Sequence, residues 1–354
     1  MSNQNFRIKD IAKKAGVSTG TVDRVLHNRG KVSDEALRKV NAVLGEIDYK
    51  PNLLARTLGS KKSFTLAAII PNQEDDPYWI QCKKGVDSGA EEWSQFGVTV
   101  RTFLFDKLSG SSFIKTTQEA LNSAPDGILI APIFLHEARA FFKYWKENNI
   151  PYVLFNTNLN EAHPLSFIGQ NLFESGKVAG ELMLLGRQEP TKIVVLHIEE
   201  DVNNSPHLSE KEKGFRAYCE SVLFSVEVVS INVSHTKKSS LDKTVENIAF
   251  DTTVAGILVT TSKETALVAG LLEQYNRNDI RLIGYDLLEQ NLTYLKKGMI
   301  KFLINQNPTR QTSLGVSHLA NFLLFKKVPP SLDLFPLEIV TKENLSSYLT
   351  SDIY

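Results

Sequence analysis

Ile8, Ile11, Ala12 and Ala15 recur at intervals of three and four, the spacing of one helix face. Gly16 interrupts the pattern. Ser18 is placed to cap a second helix by accepting a hydrogen bond from one of its first free N–H groups. That helix would bury Val22, Val25 and Leu26 and turn Thr19, Gly20, Asp23 and Arg24 outward. Ser33 is placed to cap a third, whose stripe is Leu37, Val40, Val43, Leu44 and Ile47. Two short helices about a tight turn, the second with small polar residues and an arginine on its free face, predict a helix-turn-helix. A generic three-helix bundle would share much of this pattern. Residues 52–59 offer two more helical turns, too few to be stable alone because helix nucleation is costly.

From Phe64 the period changes. Apolar runs at 64–71, 98–105, 127–131 and 151–155 read as buried strands, separated by helical patterns near 77–96, 111–124 and 135–148. The cycle then begins again. Strands are expected at 193–198, 226–233, 256–261 and 281–286, with helices near 172–187, 209–223, 240–250 and 263–275. A last core strand, 302–306, precedes a long helix to about Phe325. Strands alternating with helices predict parallel, doubly wound α/β sheets, and two such sets predict two sheets.

Charge changes the picture. The 354 residues are formally neutral as a whole. Residues 1–62 carry 13 Lys/Arg against 6 Asp/Glu, a net of +7, and the remaining 27 Lys/Arg against 34 Asp/Glu leave −7. A basic head on an acidic body suits a polyanionic partner for the head alone. The two cysteines, Cys82 and Cys219, have no metal-ligand spacing, and reduced thiols in a cytoplasmic protein are expected. The N-terminus lacks the apolar core of a signal peptide, and no run approaches a membrane span, so no membrane partner is expected.

The head, residues 1–51, with the run that follows it, resembles the helix-turn-helix headpiece and hinge of the lac-repressor/galactose-repressor family. The matching residues are Ile11-Ala12, Ala15-Gly16-Val17-Ser18, Thr21-Val22, Arg24-Val25-Leu26, Val32-Ser33, Tyr49, Pro51-Asn52 and, further on, Leu58. The resemblance implies a homodimeric, cytoplasmic transcription regulator binding pseudo-palindromic double-stranded operator DNA. It implies DNA contacts from Ser18, Thr19, Gly20, Thr21, Asp23, Arg24 and Lys31. Arg24 is the best candidate to read guanine, and Asp23 could accept from cytosine or repel phosphate. Residues 52–63 would form a hinge helix and linker, with Asn52 and Ala55 at the DNA and Leu58 as a wedge between base steps.

The body, 64–343, resembles the type I periplasmic sugar-binding proteins that this family uses as its sensor. The resemblance implies two lobes joined by three crossovers, expected near 156–160, 287–291 and the 320s. Lobe 1 would comprise about 64–157 and 291–325, and lobe 2 about 158–290 and 326–343. A tail, 344–354, lacks the apolar heptads of a tetramerising coil, so a dimer is expected.

Open α/β sheets bind ligands beyond the C-terminal ends of their strands. Several polar and aromatic residues follow strands directly, at positions that contact ligand in the sugar-binding family. They are Asp76, Tyr78, Trp79, Asn156, Thr157, Ser262, Asp286 and Gln306; Lys211 stands where that family usually carries an arginine. Aromatic faces can stack on a pyranose, and carboxylates and amides can satisfy its hydroxyls. Strand-end Asp and Asn are also ordinary turn formers. Lys211, Ser262 and the pair Asn156-Thr157 depart from the family pattern, which leaves the effector open among sugars, acidic or phosphorylated sugars and purines. An enzyme is not expected. There is no G-x-S-x-G, phosphate loop, G-x-G-x-x-G or H-E-x-x-H, and the seven histidines are scattered. Neither a cofactor nor a metal is expected. The alternative reading is a solute-binding protein of transport, which would leave residues 1–62 without a use.

Overall fold

The computed structural model describes residues 6–26, 30–47, 62–73, 76–159, 161–198, 204–233 and 238–349. The chain divides into two compact units, Met1–Lys61 and Lys62–Tyr354.

The first unit holds α1 (Ile8–Ala15), α2 (Thr19–Leu26) and α3 (Asp34–Glu46). Gly16 ends α1 at φ 64°, a left-handed turn that costs glycine little, and its N–H returns to the Ala12 carbonyl. Ser18 Oγ accepts from the Thr21 N–H at 3.1 Å, and Ser33 Oγ from Ala36 at 3.4 Å, so both expected caps form. Ile11, Ala12, Ala15, Val22, Val25, Val40 and Val43 make the core. Leu37 departs from its expected place and is 39% exposed, because so small a bundle covers only part of the α3 stripe.

The second unit is built on two six-stranded sheets. Its strands are β1 (Phe64–Pro71), β2 (Val98–Phe105), β3 (Gly127–Ile130), β4 (Tyr152–Phe155), β5 (Ser166–Gly169), β6 (Thr191–Ile198), β7 (Val226–Val233), β8 (Val254–Val259), β9 (Arg281–Tyr285), β10 (Ile300–Asn305), β11 (Leu332–Leu334) and β12 (Glu338–Val340). One sheet has the order β11-β5-β4-β3-β1-β2, the other β12-β10-β9-β8-β6-β7. All pairs are parallel except β12 on β10. The helices between them are α4 (Pro77–Ser94), α5 (Gly110–Asn122), α6 (Leu135–Glu147), α7 (Leu172–Leu184), α8 (Pro206–Ser221), α9 (Lys238–Phe250), α10 (Glu264–Gln274), α11 (Glu289–Lys297), α12 (Pro308–Phe325) and α13 (Leu345–Leu349). The core of the first lobe takes Trp93, Phe113, Trp145 and Leu319 from α4, α5, α6 and α12. Helices α7 to α11 cover the second sheet, through residues such as Met183, Phe215, Val245, Val268 and Leu295.

The chain passes between lobes at places other than those expected. It crosses between β5 and α7, between β10 and α12, and between β11 and β12. The expected crossings at 156–160 and 287–291 fall inside lobes, and the one in the 320s falls within α12. The four-residue strand β5 continues the first sheet beyond residue 158, and its two apolar residues, Phe167 and Ile168, do not stand out as a run. Helix α11 completes a β–α–β unit that keeps β10 in the second lobe, while α12 alone returns to the first. Gln170 ties the crossings together: its Nε2 donates to the Asn305 carbonyl at 2.8 Å and to the Pro336 carbonyl at 2.9 Å. Cys82 and Cys219 are free and buried. Among the described residues no helix is long and apolar enough to cross a membrane.

Candidate functional site

In the first unit, Ser18, Thr19, Gly20, Arg24 and Lys31 are exposed, and Thr21 and Asp23 are partly so. Val22 and Val25, which alternate with them along α2, are buried. One face of α2 is thus polar and open, as its period requires. Ser18 Oγ and Thr21 Oγ1 lie 2.9 Å apart, so both hydroxyls serve the helix start. A Cβ on Gly20 would meet only Ser18 Oγ, at an ordinary 3.8 Å, so nothing within this unit demands a glycine there. Asn52, Ala55 and Leu58 lie outside the described residues.

In the second unit, the interlobe cleft is lined by Asp76, Tyr78, Trp79, Lys107 and Asn156 of one lobe, by His207, Leu208, Lys211, Thr260, Thr261, Ser262 and Glu264 of the other, and by Gln306 at a crossing. The first turn of α4 presents the aromatic pair. Asp76 caps it, accepting from the Tyr78 N–H at 3.1 Å. The same carboxylate pairs with Lys107 at 2.8 Å, both side chains being largely buried. The rings of Tyr78 and Trp79 meet edge to face at 4.9 Å, and Phe155 buttresses Trp79 at 6.4 Å. Tyr78 accepts from Asn156 Nδ2 at 2.5 Å. Burial, then the neighbouring Cys82 and Asp286, push its hydroxyl well above its ordinary range, so it stays protonated.

Lys211 reaches the cleft from α8. Its ammonium donates to the Thr260 carbonyl at 3.0 Å and lies 3.6 Å over the Tyr285 ring. Glycines fix its height. A Cβ on Gly176 of α7 would come within 2.0 Å of the Lys211 carbonyl, and one on Gly214 within 1.9 Å of the Phe173 carbonyl. The two helices therefore touch backbone to backbone. Behind the wall, His197 contacts Thr260 Oγ1 at 2.9 Å and Glu212 at 2.6 Å. The bond from His197, with those from Ser230 and Arg216, holds the Glu212 carboxyl down at about 2 against its burial.

Two expected ligand contacts are placed elsewhere. Asp286 does not line the cleft. It is fully buried at φ 62°, and its oxygens accept from the Gln306 N–H at 2.8 Å, from Gln306 Nε2 at 2.6 Å and from Ser262 Oγ. Burial pushes this carboxyl above its ordinary range, opposed by those bonds and by the Lys211 ammonium. Three of its roughly four acceptor sites serve to position the crossing. Thr157 faces a separate groove of about 730 Å³ shared with Arg139, Glu161 and Lys213. The bonds continue from Gln306 across the lobes: its carbonyl accepts from Gln311 Nε2 at 2.8 Å, and Gln311 Oε1 from the Asn156 N–H at 3.0 Å.

Lys107, His207, Thr260 and Glu264 line the cleft without having been singled out from the sequence. Lys107 and Thr260 do follow strands directly, so the strand-end rule could have found them. His207 and Glu264 sit in first turns of helices and give no such signal. The residual cavity is about 40 Å³. That is far below the roughly 300 Å³ at which small-molecule pockets begin, so the lobes here are closed. Among the described residues no group of His, Cys, Asp and Glu is arranged to hold a metal.

The geometry has relatives. The family profile of the periplasmic binding protein domain matches residues 67–327, and that of bacterial regulatory proteins, lacI family, matches residues 7–52. The chain belongs to the periplasmic binding protein domain family and carries a lacI-family head. The ribose operon repressor of Halalkalibacterium halodurans is 27% identical over 284 residues, covering 79% of this chain and 80% of that protein. The transcriptional regulator MalR of Streptococcus pneumoniae is 28% identical over 162 residues, 45% of this chain and 48% of its own length, so the chain spans about half of that relative. A solved structure described as a LacI transcriptional regulator from Bacteroides fragilis is 28% identical, with a TM-score of 0.76 over 81% of this chain and 100% of that one. The glucose-galactose binding protein GanP of Geobacillus stearothermophilus, at 20% identity and a TM-score of 0.71 over 80% of this chain and 99% of its own, shares the fold alone.

Proposed function

We propose that the protein is a ligand-responsive transcription regulator of the lacI type. It binds a pseudo-palindromic operator as a homodimer, and a small molecule in the interlobe cleft alters its affinity for DNA. The observation that carries this reading is the joining, on one chain, of a lacI-family head to a two-lobed binding domain. The exposed polar face of α2 supplies the residues that would meet DNA, and the basic charge of residues 1–62 supplies the attraction to phosphate. The chemistry of the cleft supports a sugar or sugar derivative: aromatic edges, an amide and charged pairs converge on one small space. Coupling between the two sites is reciprocal, so a ligand that weakens operator binding is itself bound less tightly by the operator complex.

A thermal-shift screen of the full chain against sugars, sugar acids, sugar phosphates and nucleosides tests the sensor half. A ligand that binds the folded state raises the melting temperature by mass action. One hit from a single chemical class, lost in Lys211→Met, is the expected outcome. A hit unaffected by Lys211→Met would place the ligand outside this cleft.

A further inference from the structure

Helix α6 of the first lobe begins without a cap of its own: Phe134 stands at the N-cap position and makes no side-chain cap bond. Two of the free N–H groups of its first turn are satisfied from the other lobe. Leu135 N–H donates to the main-chain carbonyl of Asn204 at 3.2 Å, and His136 N–H donates to Asn204 Oδ1 at 3.0 Å. In return Asn204 Nδ2 donates to Glu137 Oε2 at 2.9 Å. On its other side Glu137 packs closely on Gly110, where a Cβ would come within 2.5 Å of Oε1. Asn204 immediately precedes Ser205 and α8, the helix that carries His207 and Lys211 into the cleft.

These contacts resemble a capping box, but the partner comes from a different lobe, accepts from the second residue of α6 and donates to Glu137 through its side-chain amide. An uncapped N-terminus exposes donors that water satisfies when the lobes part and that Asn204 satisfies when they meet. We propose that Asn204 is an interlobe latch, which completes the cap of α6 only in the closed state and so sets how readily the cleft opens to admit a ligand. Its importance to regulation rests on the reading of the cleft as an effector site; its effect on closure does not.

The main-chain bond from Leu135 N–H gives a clean reporter, because no side-chain substitution at 204 removes it directly. Hydrogen exchange is measured at single-amide resolution on the ligand-free full chain. In Asn204→Ala, exchange at Leu135 should rise about tenfold, the worth of the two side-chain bonds lost. The strands 127–130 and 193–198 should keep their protection. Asn204→Asp keeps the acceptor for His136 but sets a carboxylate against Glu137, so it should open the lobes at least as far. Adding Glu137→Gln supplies an amide donor to that carboxylate and should return Leu135 to near its parent rate. Unchanged Leu135 exchange in Asn204→Ala would overturn the latch. So would failure of Glu137→Gln to rescue Asn204→Asp, or faster exchange spread equally through both strands. A screen without any ligand would count against the proposed function and leave this result standing.

Discussion

Asp286, expected from its strand-end position to meet a ligand, has partners of its own within the protein. It ends a strand at the cleft, as its sequence position predicts, yet its two oxygens already serve Ser262 and Gln306. Asp286→Asn would set an amide NH2 against groups that are themselves donors. It should destabilise the second unit by about 1–3 kcal/mol in a denaturant titration, with no ligand present. A variant as stable as the parent would return Asp286 to the role of an open acceptor. Glu212 gives a pH test. Its carboxyl is lowered from 4.5 to about 2, chiefly by the bond from His197, so it stabilises the fold above pH 4.5 and that contribution fades as pH falls toward 2. Glu212→Gln should show a flatter loss of stability across that acid window; a curve parallel to the parent's would remove Glu212 from the account. On the head, Arg24→Ala is expected to cost about 1–3 kcal/mol at the specific site and to relax one base preference, whereas Lys31→Ala should weaken all sequences alike. Equal, sequence-independent losses in a competition binding assay would make Arg24 a phosphate contact.

At the scale of elements, the contact of α7 and α8 decides where Lys211 stands. Gly214→Ala would drive a Cβ into the Phe173 backbone carbonyl, which cannot rotate away as a side chain would. The cost should be about 3 kcal/mol in chemical unfolding, and an unchanged midpoint would mean that the helices separate freely. Long elements were legible in the sequence because their periods are long: the runs at 64–71 and 226–233 coincide with β1 and β7. Short ones were legible only where nearly every residue is apolar, as in β3 and β4. β5, β11 and β12 carry just two apolar residues each, and they owe their pairing to neighbours distant in the chain. Missing β5 and α11 displaced the expected crossings, since the position of a crossing depends on which sheet the preceding strand joins. The cap that Asn204 gives α6 was hidden for the same reason: 68 residues separate it from His136, and an asparagine in a loop carries no mark of its partner.

The whole molecule joins a lacI-family head to a two-lobed binding domain whose cleft holds a space of about 40 Å³. The division into a helical head and an α/β body was legible from the change of hydrophobic period near Phe64 and from the opposite charges of the two parts. The identity of the effector was not, because it depends on side chains such as Lys107, His207 and Glu264 that come together only through the fold. A lacI-family head with a net charge of +7 is expected to bind duplex DNA. The most direct test of this is fluorescence anisotropy of the full chain with duplexes from a selected-site library, titrated across salt concentration. Lys and Arg contacts release counterions, so the account predicts tight binding at low salt and a logarithm of affinity that falls linearly with the logarithm of salt. Absence of duplex binding at low salt, by folded protein, would contradict it.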